Sequence, residues 1–278
     1  CDHRCTFCII PYGRGDSKSL TFEEINKRTK AIIKKGFSEI VLTGVDLTSY
    51  GNDLPGKPKL GNILKRLLNL QPNLRRLRLS SIDPAEIDDD LMDLLSKDKR
   101  LLPHLHLSLQ SGDNLILKRM KRRHNREQVI ELCNKLKSSR SEFTFGADVI
   151  VGFPTETEEC FNNTLDLVKV CSFSNVHVFP YSPKEGTPAS RMPQVDATVK
   201  KKRADNLRCE SKEILYKKLN EQIGKSTKIL FESNKKSYTD GFYKVKFEDT
   251  ENSAKSGSII NVNLVSRHDD SLVAELKQ

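Results

Sequence analysis

His104-Leu-His-Leu-Ser-Leu-Gln110 alternates apolar and polar side chains, and Phe143-Thr-Phe-Gly-Ala-Asp-Val-Ile-Val151 follows it after a segment, 125–137, with the 3.6-residue period of a helix. A strand, a helix and a second strand in that order make a βαβ unit, whose two strands lie parallel. The rhythm extends in both directions. Upstream, Thr21 and Glu24 form a T-x-x-E capping box before a helix with Phe22, Ile25, Ile32 and Ile33 on one face, and Gly36 ends it. Ser38-Glu-Ile-Val-Leu-Thr-Gly44 then reads as a short buried strand, 60–70 as a helix, 74–80 as a half-buried strand of alternating Leu and Arg, and 87–95 as a helix. Asn125 and Gln128 are set as another cap pair. Downstream, 158–170 reads as a helix and 176–181 as a strand. Five strands alternating with helices predict an α/β fold built on a parallel sheet.

In such folds the chemistry sits at the C-terminal ends of the strands. Those ends here are Thr43-Gly-Val-Asp46, Ser80-Ser-Ile-Asp83, Ser108-Leu-Gln-Ser-Gly112, Gly152-Phe-Pro-Thr-Glu156 and Pro180-Tyr-Ser-Pro183. They are polar and glycine-bearing, as the rim of a small-molecule site must be. Ordinary βα turns ask for the same residues. After Pro193 the texture changes. Residues 197–222 read as one long charged helix, and 228–232, 241–247, 258–264 and 272–276 as short strands. Four or five such strands in a short stretch predict a small closed barrel, a shape that often binds oligonucleotides. The expected division is 1–215 for the α/β part with its linker helix and 216–278 for the barrel.

The chain has 278 residues and a formal net charge of +10, which favours a polyanionic partner, most commonly nucleic acid. Two clusters stand out, Lys118-Arg-Met-Lys-Arg-Arg-His124 and Lys200-Lys-Lys-Arg203, either of which also suits a solvated helix face. Trp is absent, so base stacking would rest on a handful of Phe and Tyr. No apolar run approaches the ~18 residues that span a bilayer, and no signal-peptide pattern is present. A reducing cytoplasm is the expected location, since it keeps thiolates available for metal.

Seven cysteines are present, and three of them, Cys1, Cys5 and Cys8, fall within Cys-Asp-His-Arg-Cys-Thr-Phe-Cys. Three thiolates on a short loop can hold three irons of a 4Fe-4S cluster and leave the fourth iron open for a small molecule. A structural zinc site completed by His3 or a distant Cys is the alternative, although zinc ribbons prefer paired C-x-x-C knuckles. An odd cysteine count in a chain of this length argues against a disulfide framework. Cys133, Cys160, Cys171 and Cys209 are scattered and expected to be buried or half-buried residues of the ordinary kind.

Five stretches in order, CDHRCTFCIIP (1–11), LTGVDLTSYG (42–51), HLHLSLQSG (104–112), DVIVGFPTET (148–157) and HVFPYSPKEGTP (177–188), resemble the radical S-adenosylmethionine methylthiotransferases. The last 60 or so residues resemble the TRAM domain, an RNA-binding barrel. The LTGVDLTSYG and HVFPYSPKEGTPASRMPQV forms are most similar to the subfamily that methylthiolates threonylcarbamoyladenosine in tRNA. The resemblance implies a partial (β/α) radical-SAM barrel followed by a small all-β TRAM barrel. It also implies a 4Fe-4S cluster on Cys1, Cys5 and Cys8, with S-adenosyl-L-methionine chelated at the open iron. Contacts to that cofactor would come from Thr43, Gly44 and Asp46 near the methionine amino group, and from Ser108 and Gln110 near the ribose. Asp148, Gly152 and Glu156, with Ile150, would lie near the adenine. Arg122 would pair with the carboxylate, unless it serves a phosphate or the surface.

The implied reaction replaces hydrogen at carbon 2 of an adenine next to the anticodon with a methylthio group. Its implied partners are tRNA and an electron donor. The family carries an N-terminal domain with a second 4Fe-4S cluster that is thought to deliver sulfur. That domain and the first strand of the barrel have no counterpart in this sequence. The chain is therefore expected to be a fragment or truncated product that fails to complete the reaction alone. Ribosomal-protein methylthiolation and a non-catalytic RNA-binding remnant are the rival expectations.

Overall fold

The computed structural model describes residues 1–233, 236–247 and 254–277. A short helix, α1 (Ile10–Arg14), follows the cysteine loop. It leads to α2 (Phe22–Lys34), which opens with the reciprocal Thr21–Glu24 capping box that the sequence predicts. Then come β1 (Glu39–Leu42), α3 (Leu60–Leu70), β2 (Arg76–Leu79), β3 (Ser81–Ile82), α4 (Asp89–Lys97) and β4 (His104–Gln110). The series continues with α5 (Asn114–Arg119), α6 (Arg126–Ser139), β5 (Thr144–Val151), α7 (Glu158–Cys171) and β6 (Phe173–Pro180). The Asn125–Gln128 capping box at α6 is formed as expected. The sequence reading passed over α1 and α5, which are too short to display a period.

The strands run parallel and in chain order. β1 pairs with β2 from Glu39↔Arg76 to Leu42↔Leu79. The chain bends at Ser80 and continues as β3, which pairs with β4, then β5 and β6 follow. At the bend the Ser80 N–H donates to the Leu42 carbonyl at 2.9 Å, and before it Leu77 bridges to the segment leading into β4, its N–H donating to the Arg100 carbonyl at 2.7 Å and its carbonyl accepting from the Leu102 N–H at 2.9 Å. Leu77, Leu79, Leu105, Leu107, Leu109, Ala147, Val149 and Val151 are buried beneath the helices. The strand alternation therefore turns Arg76, Arg78, His106, Ser108, Gln110 and Asp148 to the other, concave side. This is a partial (β/α) barrel.

The long helix α8 (Ala197–Asn220) buries Ala204 and Leu207 against this core, and its far end packs Leu215 and Leu219 into a second core. Around that second core β7 (Ser226–Ser233), β8 (Lys236–Thr239), β9 (Lys244–Lys246), β10 (Ser258–His268) and β11 (Ser271–Leu276) close into a barrel in the order β10-β11-β9-β8-β7. The closed barrel matches the sequence reading, with two local corrections. β8 has no counterpart among the four strands read from the sequence. The expected strand at 241–247 is regular only over Lys244–Lys246, because Gly241, Phe242 and Tyr243 turn the chain back, with Phe242 at φ 64°.

That turn seats on the N-terminal end of the partial barrel. The Phe242 ring stacks on His104 (centroids 5.0 Å apart) and on Tyr238 (4.8 Å), and the Arg78 guanidinium lies over it at 4.8 Å. Arg78 donates to the Asp240 carbonyl (3.2 Å), Thr144 Oγ1 donates to the Gly241 carbonyl (2.8 Å), and Arg76 bridges Glu39 and Asp240. Burial and the neighbouring Arg78 hold His104 down at about 3, so it sits there as a neutral ring. The alternating Leu-Arg strand 74–80 is thereby explained: its leucines face the helices and its arginines bind the second barrel.

Candidate active site

The cysteine loop lies across the C-terminal end of the sheet. Thr6 anchors it: its N–H donates to the Met120 carbonyl (3.1 Å), its hydroxyl to the Arg119 carbonyl (2.8 Å), and its carbonyl accepts from the Ala189 N–H (3.0 Å). Phe7 packs onto a small core of Ile116, Met120, Phe153, Tyr181 and Ala189. With Thr6 and Phe7 pinned, Cys1, Cys5 and Cys8 stay half-buried free thiols around one cavity. The cavity holds about 270 Å³, and Gly44, Asp46, Ser81, Asp83, Ser108, Gln110, Arg122 and Asp148 also line it.

Arg122 is the cation of this cavity. Its Nη1 lies 3.7 Å from Cys5 Sγ, and its Nη2 donates to Asp83 Oδ2 (3.0 Å) and to the Ser108 carbonyl (2.5 Å). Its buried Nε–H has no partner among the described residues. Burial alone would raise the Asp83 carboxyl, but the His124 ring and the Arg122 guanidinium hold it down at about 2. The ionised Asp83 therefore stabilises the fold above the usual carboxylate range, and that contribution is lost as the pH falls from about 4 towards 2. A shift of this size corresponds to about 2 kcal/mol. Between pH 6 and pH 3, urea unfolding is expected to show a loss about 1 kcal/mol larger in the unaltered protein than in Asp83→Asn, whose other depressed carboxylates still titrate. An equal loss in both would remove Asp83 as its source.

A second network secures the first cysteine. Asp46 Oδ2 accepts from Ser49 Oγ (2.7 Å) and His3 Nε2 (2.8 Å), and lies 3.5 Å from Cys1 Sγ. Glu86 adds a contact to His3 at 3.4 Å and pairs with Arg123. Hydrogen bonds to Asp46 and Glu86 raise His3 to about 9. His3 therefore ties the cysteine loop to the strand end that carries Asp46.

The expected cofactor residues divide into three groups. Gly44, Asp46, Ser108, Gln110, Arg122 and Asp148 share the cavity with the cysteines. Thr43 lines the adjoining pocket, which also reaches Cys1 and Asp46. Gly152 and Glu156 stand apart: Glu156 Oε1 accepts from the Gly152 N–H (2.9 Å) and from Arg203 of α8 (2.8 Å). Gly152 has φ 68°, and a Cβ there would sit 2.1 Å from Lys200 Cγ. Gly152→Ala is expected to cost about 1–2 kcal/mol in chemical unfolding. An unchanged midpoint would show that α8 gives way freely.

Other expectations need correction. Cys133, Cys160 and Cys171 are buried, but Cys209 is exposed on α8, since its position in that long helix falls on the solvent side. The 118–124 cluster is largely not a free basic face. Arg119 donates to Thr155, Arg122 and His124 meet Asp83, and Arg123 pairs with Glu86, leaving Lys118 and Lys121 exposed. In the 200–203 cluster, Arg203 is buried on Glu156 and Glu158. The sequence reading also assigned no role to His106 and His177. His106 Nε2 and His177 Nδ1 each lie 3.0 Å from Asp148 Oδ1. The period-2 alternation already put His106 on the face of Ser108 and Gln110, and that signal was available.

Comparisons with known proteins place the chain in a family. A family profile described as the Radical SAM superfamily matches residues 1–168. The chain is 52% identical over 248 residues to "Threonylcarbamoyladenosine tRNA methylthiotransferase MtaB" of Rickettsia prowazekii, covering 89% of this chain and 59% of that protein. It is 37% identical to the MtaB of Bacillus subtilis, with 95% and 60% covered. It is 38% identical to a "tRNA-2-methylthio-N(6)-dimethylallyladenosine synthase" of Bacillus velezensis, with 86% and 47% covered. The chain thus spans about half to three-fifths of the length of these relatives. Among solved structures, a radical S-adenosylmethionine methyltransferase from Kitasatospora setae matches with a TM-score of 0.54 at 16% identity, over 68% of this chain and 37% of that one. Coproporphyrinogen III oxidase from Escherichia coli matches at 0.51 and 19% identity, over 78% and 50%. At these identities the likeness is one of fold.

Proposed function

Because the chain belongs to the radical SAM superfamily, we propose that it is the core and C-terminal barrel of a tRNA methylthiotransferase acting at carbon 2 of N6-threonylcarbamoyladenosine next to the anticodon. One observation carries this reading: three free thiols on a pinned loop share a cavity with the polar ends of four parallel strands. The named relatives support the substrate, and the closed five-stranded barrel, a TRAM-type barrel in this reading, supports an RNA partner. The division at 1–215 and 216–278 and a cytoplasmic location belong to the same proposal. No helix among the described residues is long and apolar enough to cross a membrane.

Cys1, Cys5 and Cys8 would hold a 4Fe-4S cluster. A donor set of three half-buried thiols beside a guanidinium fits a thiolate-bound, net-negative group. With S-adenosyl-L-methionine bound, such a cluster would supply one-electron cleavage of a sulfonium and, through it, hydrogen abstraction. The chain's own residues orient and shield. Arg122 points its Nη1 at the Cys5 sulfur from 3.7 Å and keeps an unpaired Nε–H for an incoming acceptor. Asp46 offers an acceptor to an ammonium group, beside Thr43 and Gly44. Ser108 and Gln110 present hydroxyl and amide groups to a ribose. Asp148 faces the same cavity, and Gly152 and Glu156 shape the turn after β5, whose Phe153 packs against Phe7 of the cysteine loop.

The test is hydrogen transfer. The reconstituted, reduced chain is incubated with S-adenosyl-L-methionine and an anticodon stem-loop deuterated at carbon 2 of its threonylcarbamoyladenosine. Deuterium is expected in the 5′-deoxyadenosine product. Turnover of S-adenosyl-L-methionine with no deuterium transfer would overturn the substrate assignment.

A further inference from the structure

His106, Asp148 and His177 come from three adjacent strands and meet on the concave side of the sheet. Asp148 is in register with His177. One carboxylate oxygen, Oδ1, takes both imidazoles at 3.0 Å, and the two rings lie 4.7 Å apart. Among the described residues no hydrogen bond reaches Asp148 Oδ2 or His177 Nε2, and the His177 side chain is 55% exposed. Gly146 makes the arrangement possible, because a Cβ there would lie 2.6 Å from His106 Nδ1. Asp148 also lines the cavity of the cysteines, so the three residues form a polar extension of that cavity into the barrel.

The names of the relatives pose a choice between two N6 substituents. A threonylcarbamoyl group carries a carboxylate, a hydroxyl and carbamoyl N–H groups, whereas a dimethylallyl group is wholly apolar. An apolar group pressed against this triad would strip water from Asp148 and His177 and return no hydrogen bond. A site built from polar groups rejects the analogue that cannot pair with them.

Resting on the reading of the preceding subsection, we propose that His106, Asp148 and His177 form the subsite for the N6 substituent of the substrate base. In the complex His177 carries a proton on both ring nitrogens, donating Nδ1–H to Asp148 and Nε2–H to the carboxylate of the substituent. Asp148 Oδ2 accepts from its hydroxyl or a carbamoyl N–H, and His106 fixes the Asp148 carboxylate in place. Charge-assisted bonds of this kind are the strong ones.

The test measures binding of three anticodon stem-loop RNAs that differ only at the N6 position: threonylcarbamoyl, unsubstituted and dimethylallyl. Within each protein variant the unsubstituted loop is the reference, which cancels the phosphate contribution. The unaltered chain is expected to prefer the threonylcarbamoyl loop by about tenfold and to show no preference for the dimethylallyl loop. In His177→Phe the tenfold ratio is expected to fall to about one, and His177→Gln, which keeps an N–H donor, is expected to retain part of it. An undiminished ratio in His177→Phe overturns the subsite and leaves the substrate reading standing. A ratio near one in the unaltered chain also overturns the subsite. Preference for the dimethylallyl loop overturns the substrate reading itself.

Discussion

Cys5→Ala protein, reconstituted anaerobically with iron and sulfide, is expected to hold almost no iron, against about four irons per chain in the unaltered protein. The loop offers three thiols, and Cys5→Ala leaves the cavity with two, one short of the set that holds three irons. Cys5 sits in the middle of the set, with the Arg122 guanidinium 3.7 Å from its sulfur. Cys133, Cys160 and Cys171 lie in the helical cores and Cys209 on the outer side of α8, so replacing any of the four should leave the iron content unchanged. Undiminished iron in Cys5→Ala would contradict the assignment.

The second large effect is on RNA. Affinity for tRNA is expected to fall about a hundredfold or more between 50 and 200 mM salt, as several phosphate contacts are exchanged for counterions. Arg119, Arg122 and Arg203 are engaged internally and Arg123, though exposed, is tied to Glu86, which moves the expected contacts to exposed lysines such as Lys225, Lys228, Lys236, Lys255 and Lys277 of the C-terminal barrel. Replacing Lys225 and Lys228 by glutamine should lower the slope of log affinity against log salt by about one or two. They lie outside both cores, so the fold should survive. A salt-independent affinity, or a slope that the double variant leaves unchanged, would exclude the barrel as the phosphate-binding surface.

The strands and the two cores were legible because burial writes a period into the chain. Leu105, Leu107 and Leu109 alternate with His106, Ser108 and Gln110, and the same rule fixed which side of the sheet the site occupies. The capping boxes at Thr21 and Asn125 were legible because they are local. Charge pairing was not. Nothing in Lys118-Arg-Met-Lys-Arg-Arg-His124 says that Arg122 and His124 turn inward to Asp83, a contact that joins residues about 40 positions apart in the chain. Phe242 was read as a strand residue because its neighbours are aromatic and β-branched. Its seat on His104 and Arg78 belongs to the packing of two domains. His106 and His177 were visible as residues inside recognised motifs, but only register across three strands shows that they converge on Asp148.

The central claim is that the thiols of Cys1, Cys5 and Cys8 hold a cluster with one iron open to S-adenosyl-L-methionine in the cavity they share with Asp46, Ser108 and Arg122. Electron paramagnetic resonance of the reconstituted, dithionite-reduced chain, recorded with and without S-adenosyl-L-methionine, tests it most directly. The account predicts a reduced-cluster signal whose shape changes when S-adenosyl-L-methionine is added. A reduced-cluster signal identical with and without it, or no cluster signal at all, would contradict the account.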